Sequence, residues 1–132
     1  RETIPFVGLV MVKLPPAYRQ PFTESALALH KELALFEQMA QDHGVSLEDL
    51  EMSPTCHAYS QFLLATGYNE PFPVSVTALY AAEKAYLDSW SSVAAGLKDP
   101  SPWWEFIEHW SSPGFREWVN GSNRSSTGSR RA

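Results

Sequence analysis

The chain has 132 residues, of which 44% are hydrophobic and 13% aromatic, a composition that suits one globular domain with a real core. Its net charge is −5, and three of its ten basic residues, Arg124, Arg130 and Arg131, lie in residues 120–132, which contain no acid. The rest of the chain therefore carries seven basic and fifteen acidic residues, and this acidic balance argues against nucleic acid as the main partner.

The sequence also indicates the compartment. No apolar run is long enough to span a bilayer, because the stretch from Ile4 to Val12 is short and is interrupted by Pro5 and Gly8. We therefore expect no membrane partner. The single cysteine, Cys56, excludes an intrachain disulfide and fits a reducing compartment, so a cytoplasmic location is expected, although one free thiol is also compatible with other compartments.

Three segments are predicted along the chain. Residues 1–21 are expected to be irregular, because their four prolines exclude a long helix, and Phe6–Val12 is expected to be a short strand or an extended segment. Residues 22–119 are expected to form a helical domain. Residues 120–132 are rich in Ser, Gly and Arg and poor in apolar side chains, so a disordered tail is predicted there.

The first helix of this domain is predicted to begin at Thr23, since Thr is a good N-cap and Glu24 favours the positive end of the helix dipole. Gly44 is a natural C-terminal stop. The predicted buried face consists of Ala26, Leu29, Leu33, Phe36 and Ala40. Glu32 lies at the border of this face, either paired with solvent or Lys, or directed to a site.

The second helix is predicted to begin at Ser53-Pro54, a cap followed by a proline in the first turn, and to end at Gly67. The connector before it is expected to place Leu47, Leu50 and Met52 on the core. The predicted helix face consists of Tyr59, Phe62, Leu63 and Thr66. Tyr59 is the only aromatic hydroxyl on this face, and a buried phenol usually finds a hydrogen-bond partner.

The third helix carries the most informative pattern, from Phe72 to Trp90, and is expected to continue to Ala95, with Gly96 as its stop. One face is predicted to hold Val76, Leu79, Tyr80, Glu83, Leu87 and Trp90, and Tyr86 lies beside it. Glu83 is the only acid in an otherwise apolar and aromatic stripe. A carboxylate that leaves water must be paired, hydrogen-bonded or protonated, so Glu83 is the first candidate for a functional residue.

Two further helix starts repeat the serine-proline pattern, at Ser101-Pro102 and at Ser112-Pro113. The aromatic and apolar residues that follow them are Trp103, Trp104, Phe106, Ile107 and Trp110, then Phe115, Trp118 and Val119. No strong strand pattern is present. The fold class is therefore predicted to be all-α.

The common catalytic motifs are absent from the sequence. There is no phosphate-binding loop, dinucleotide fingerprint or serine-hydrolase elbow, so no nucleotide cofactor is expected. The four histidines are scattered without a paired metal-ligand spacing, so no metal is expected.

The remaining candidates are acidic and aromatic. Glu83, Tyr86, Tyr59, Glu32 and Trp110 could converge on one pocket if their helices pack as a bundle, although each alone is more commonly structural. Aromatic walls suit a flat heterocycle. A carboxylate beside such a ring can bind an amino group or act as a general acid or base.

Four segments follow one another in a characteristic order: H-K-E-L-A-L-F-E, H-A-Y-S-Q-F-L-L, P-V-S-V-T-A-L-Y-A-A-E-K-A-Y-L-D-S-W and W-W-E-F-I-E-H-W-S-S-P-G-F. From about Ser25 to Val119 this order resembles the TenA (thiaminase II) family, which has a haem-oxygenase-like helical fold. Typical members carry a nucleophilic cysteine early in the third segment, where this chain has Ala78 or its neighbour. The third segment instead resembles the cysteine-less subgroup, which uses a glutamate.

The resemblance implies hydrolysis of aminopyrimidines in thiamin salvage, or a remnant of that activity. The substrate would be an aminomethyl-pyrimidine or its N-formyl form, converted to the hydroxymethylpyrimidine without a cofactor. Glu83 is implied as the catalytic carboxylate. The implied substrate-binding residues are Tyr59, Tyr86, Trp110, Glu32 and Tyr80.

Family members are longer at both ends, so the resemblance implies an incomplete haem-oxygenase-like bundle. Members associate with one another, so a homo-oligomer is expected. The alternative is a non-catalytic helical module that binds a protein through exposed aromatic residues. A third possibility, an oxygenase or metal protein of the same fold, is disfavoured because paired His and Glu ligands are lacking.

Overall fold

The computed structural model describes the backbone of residues 3–48 and 50–128 and the side chains of residues 4–48 and 50–121. Over these ranges the chain contains helices and no strand, which confirms the all-α prediction. The helices are α1 (Thr3–Met11), a short 3-10 helix (Pro16–Tyr18), α2 (Arg19–Asp42), α3 (Pro54–Asn69), α4 (Phe72–Gly96), α5 (Trp104–Ser111) and α6 (Pro113–Gly128). No helix in the described part of the chain has both the length and the apolar character needed to cross a membrane.

The chain divides by its internal contacts into two compact units, one up to Ser75 and one from Val76. The first unit contains α1, α2, α3 and the first turn of α4. The second contains the rest of α4 with α5 and α6.

The N-terminal segment is helical, so the prediction of a strand or extended piece over Phe6–Val12 is wrong. Pro5 lies in the first turn, where a missing amide donor is tolerated, and the remaining prolines of the segment follow the end of α1. Phe6 and Val10, four residues apart, are fully buried among α2 and α3. Burial of this face decides the local structure in favour of helix.

α1 and α3 approach closely at Gly67. A Cβ atom at this position would lie 2.9 Å from Cδ2 of Phe6 and 3.2 Å from Cβ of Leu9. The sequence predicts that the helix ends at Gly67, but α3 continues to Asn69. Gly67 therefore serves close packing between helices rather than helix termination.

α2 begins at Arg19, four residues before the predicted start, and the hydroxyl of Thr23 donates to the Arg19 carbonyl at 2.9 Å instead of capping the helix. Its buried side chains are Phe22 and Met39, whereas Phe36 of the predicted face is exposed and the other members of that face are half-buried. The end at Asp42 is as predicted, since Gly44 takes a left-handed φ of 66°.

The connector before α3 does not pack as predicted. Leu47, Leu50 and Met52 are exposed, with Leu50 at 61%. The described residues of this connector belong to no helix, so no amphipathic helix face directs these side chains to the core. The Ser53 cap that follows is confirmed, because its side chain accepts from the Cys56 amide at 3.2 Å.

In the second unit, α4 buries Val76, Leu79 and Leu87. α5 begins at Trp104. Ser101 forms a turn before it, because its hydroxyl accepts a hydrogen bond from the Trp103 amide and its carbonyl accepts one from the Trp104 amide. The buried residues of α5 and α6 are Phe106, Ile107, Trp110 and Val119.

α6 is capped as predicted, with the Phe115 amide donating to the Ser112 hydroxyl at 3.1 Å. The helix runs on to Gly128, so the predicted disordered tail is wrong for residues 120–128, and residues 129–132 lie outside the described residues. The fully buried Val119 anchors the helix. Because extending an existing helix costs much less free energy than nucleating a new one, the polar residues after Val119 continue it.

Candidate functional site

Glu83 occupies the predicted position on α4, between the buried Leu79 and Leu87. The residue is half-buried rather than withdrawn from water. A carboxylate at such a boundary keeps contact with solvent while its apolar neighbours lower the local polarity. This is a suitable position for a group that must exchange protons with a ligand.

Tyr86 lies three residues after Glu83, about one helical turn further along the same side of α4. Its ring meets the ring of Trp110 on α5 edge to face, with centroids 5.3 Å apart and an interplanar angle of 63°. Trp110 is 4% exposed and Tyr86 is 44% exposed. The buried indole therefore supports a phenol ring that keeps surface available for another flat molecule.

The Trp110 ring is held by two more aromatic contacts. His109 meets it at 4.7 Å and 88°, and Phe115 of α6 meets it at 5.1 Å and 83°. Phe115 in turn stacks with Trp118, with centroids 6.0 Å apart. We call Tyr86, His109, Trp110, Phe115 and Trp118 the aromatic cluster.

Local structure explains how the cluster is positioned. The Ser112 cap fixes the first turn of α6 and with it the Phe115 backbone. The Arg116 guanidinium donates to the Ser91 hydroxyl at 3.4 Å, which joins α6 to α4. On α4 itself, Lys84 forms an exposed ion pair with Asp88, one turn along.

The predicted site residues fall into two sets. Tyr80, Glu83, Tyr86 and Trp110 all belong to the second unit, where Tyr80 is half-buried one turn before Glu83. Glu32 on α2 is half-buried, and Tyr59 on α3 is exposed rather than buried. Both lie in the first unit, so their sharing a pocket with Glu83 stays a prediction.

Sequence reasoning missed the parts played by His109 and Phe115 in the aromatic cluster. The sequence around His109 shows no metal-ligand spacing and so gives it no role. In the part of the chain whose side chains are described, no three His, Cys, Asp or Glu residues form a metal-binding group. The sequence does place His109 directly before Trp110, and Phe115 follows soon after in a capped helix. This spacing is the feature from which contacts among the three rings could have been predicted.

Comparison with known proteins bears on this arrangement. A profile of the TENA/THI-4/PQQC family matches residues 16–128. Comparison with curated proteins gave no significant match.

Among solved structures, the chain is similar to a TenA homologue from Pyrococcus furiosus, with a TM-score of 0.94 and 36% sequence identity. The match covers 99% of this chain, which spans 64% of the length of the archaeal chain. The predicted haem-oxygenase-like helical fold is thereby confirmed. The family profile extends over most of the sequence, so the chain belongs to the TENA/THI-4/PQQC family.

Proposed function

We propose that the chain is an aminopyrimidine hydrolase of thiamin salvage, of the type that uses a glutamate in place of a cysteine. Membership of a family named for TenA supports a thiamin-related role. The observation that carries the proposal is the half-buried Glu83, one turn from a tyrosine ring that rests on the buried Trp110. A carboxylate beside an aromatic surface suits a flat base that carries amino groups.

The proposed reaction replaces an amine by a hydroxyl at the exocyclic methylene of the pyrimidine. A C–O bond forms as water attacks this carbon, and the C–N bond breaks with departure of the amine. Glu83 takes a proton from the attacking water and delivers it to the leaving nitrogen, so the aminomethyl compound and water yield the hydroxymethyl compound and ammonia. The carboxylate is regenerated, and general acid-base catalysis of this kind contributes about 100-fold to 10,000-fold to a rate.

Tyr86 is proposed as the surface on which the pyrimidine stacks. Its ring is nearly half exposed, and its edge-to-face contact with Trp110 limits the orientations it can take. Tyr80, one turn on the other side of Glu83, would border the same surface. The proposed ligand thus lies along α4 with its exocyclic carbon near Glu83.

The test of this proposal is conversion of 4-amino-5-aminomethyl-2-methylpyrimidine by the purified chain in isotopically labelled water. We expect hydroxymethylpyrimidine and ammonia in equal amounts, with the label in the new hydroxyl group. The N-formyl form is the second substrate to try. Failure of the chain both to turn over these compounds and to bind hydroxymethylpyrimidine by calorimetry would refute the proposal.

A second function, binding of another protein chain or of a second copy, is favoured by a specific observation. Trp103 and Trp104, at the start of α5, are 48% and 50% exposed. Large aromatic residues at the surface are characteristic of interfaces. Light scattering with the Trp103→Ser, Trp104→Ser double variant tests this: a lower molar mass than wild type supports self-association through these residues, and an unchanged mass opposes it.

A further inference from the structure

The side chain of Lys13, which follows α1, ends at the carboxyl terminus of α3. Its Nζ atom donates to three backbone carbonyls, those of Gly67 at 2.5 Å, Tyr68 at 3.1 Å and Glu70 at 2.7 Å. An ammonium group has three N–H donors and no acceptor, so each donor finds one oxygen here.

Two of the three oxygens, those of Gly67 and Tyr68, lie in the last turn of α3, and the Glu70 oxygen directly follows the helix. The last carbonyls of an α-helix have no amide partner within the helix, and the helix dipole concentrates partial negative charge at this end. The Thr66 carbonyl, one residue earlier, is satisfied by the Glu70 amide at 3.0 Å and the Ser75 hydroxyl at 3.3 Å. Lys13 therefore supplies hydrogen bonds to the Gly67 and Tyr68 carbonyls of the last turn and to the Glu70 carbonyl just beyond it.

We propose that the carboxyl end of α3 is a binding site for a small ammonium cation, which the side chain of Lys13 fills. The three oxygens lie 2.5–3.1 Å from the Lys13 nitrogen, which is the range of N–H···O hydrogen bonds to an ammonium group. N–H donors arranged around one nitrogen match the three oxygens. This site is independent of the proposed enzymatic activity.

Occupation of the site by Lys13 also fixes the neighbouring backbone. Lys13 connects the end of α1 to the junction between α3 and α4, since Glu70 and Pro71 lead directly to Phe72. The same junction is fixed by the buried Ser75, whose hydroxyl reaches back to Thr66. Emptying the site would loosen this junction and leave carbonyls that accept an external amine.

The first test removes the tethered ammonium with Lys13→Ala and measures the thermal midpoint in ammonium, propylammonium and sodium chloride at equal ionic strength. We expect a lower midpoint than wild type, which ammonium and propylammonium raise more than sodium does. An ammonium concentration ten times the Kd of the emptied site should raise the ratio of folded to unfolded Lys13→Ala protein about eleven-fold. Wild type, whose site is filled, should respond equally to the three salts, and Lys31→Ala, on the exposed surface of α2, should behave as wild type does. A wild-type midpoint for Lys13→Ala, or an equal response of that variant to all three salts, would overturn the proposal.

A second test uses the unaltered protein and does not depend on a variant that folds. Acetylation of lysines under native conditions, followed by mass spectrometry, compares Lys13 with the exposed Lys31 and Lys98. An amine whose donors are all engaged reacts only when the local structure opens, so we expect Lys13 to react at least about ten-fold more slowly than either. Equal rates at the three lysines would contradict a filled site.

Discussion

Replacement of Gly67 by alanine is a direct test of how closely α1 and α3 pack. The added Cβ would lie 2.9 Å from Cδ2 of Phe6, whereas carbon atoms attract best at about 3.5–4.0 Å. Phe6 is 0% exposed, so its ring cannot turn outward into solvent to relieve the contact. We expect the added methyl group to separate the two helices or to force a strained side chain, at about 1–3 kcal/mol.

The chain supplies a matched control at Gly8, on the exposed side of α1, where an added Cβ would meet nothing within 4 Å. Both glycines lie inside helices, so both alanine variants gain about 1 kcal/mol of helix propensity. Gly8→Ala should therefore raise the free energy of unfolding by about 1 kcal/mol. The difference between the two variants isolates the steric cost, about 1–3 kcal/mol.

The assay is urea unfolding followed by circular dichroism, with the free energy extrapolated linearly to water. The dependence on urea should be the same for both variants, because neither substitution changes appreciably the surface that unfolding exposes. Phe6→Leu combined with Gly67→Ala should recover part of the loss, since the two residues share one contact. If Gly67→Ala stabilises the protein as much as Gly8→Ala does, the described approach of α1 to α3 is wrong.

Three further predictions concern single side chains. Ser53→Ala removes the cap of α3 and should lower the free energy of unfolding by about 1 kcal/mol, measured by urea unfolding, whereas no change would mean that the cap is not formed. Lys84→Ala breaks the exposed pair with Asp88 and should change the same quantity by less than about 0.5 kcal/mol; a larger loss would indicate a stronger role for the pair. Tyr86→Leu removes the ring that rests on Trp110, so hydroxymethylpyrimidine should bind at least about ten-fold more weakly by calorimetry, and unchanged affinity would exclude stacking on Tyr86.

Helix boundaries marked by local chemistry could be predicted from the sequence. Ser53 and Ser112 cap their helices through the expected side-chain contacts, and Gly44 adopts the left-handed conformation that ends α2. These features depend on residues only three or four positions apart. Local hydrogen bonding and backbone preference are enough to define them.

Features that depend on long-range packing could not be predicted. α1 is helical because Phe6 and Val10 are buried against other helices, and the proline-rich composition of the segment conceals this. Gly67 resembles a helix stop in the sequence, but its glycine is needed for contact with a residue about sixty positions earlier. Lys13 likewise finds its three carbonyls on a distant helix.

The candidate site shows the same division. Helical spacing placed Glu83 and Tyr86 on one side of α4 and identified the unusual acid in an apolar stripe. The contact between Tyr86 and Trp110 requires α4 and α5 to pack together, which spacing along one helix does not reveal. The degree of burial of Glu83 also depends on its neighbours in space.

We propose that the carboxylate of Glu83 performs hydrolysis of an aminopyrimidine. The most direct measurement compares kcat for 4-amino-5-aminomethyl-2-methylpyrimidine in wild type, Glu83→Gln and the control Glu108→Gln, whose side chain is exposed on α5. We predict that Glu83→Gln lowers kcat by at least about 100-fold while hydroxymethylpyrimidine still binds, and that Glu108→Gln has no effect. Equal values of kcat in wild type and Glu83→Gln would contradict the claim.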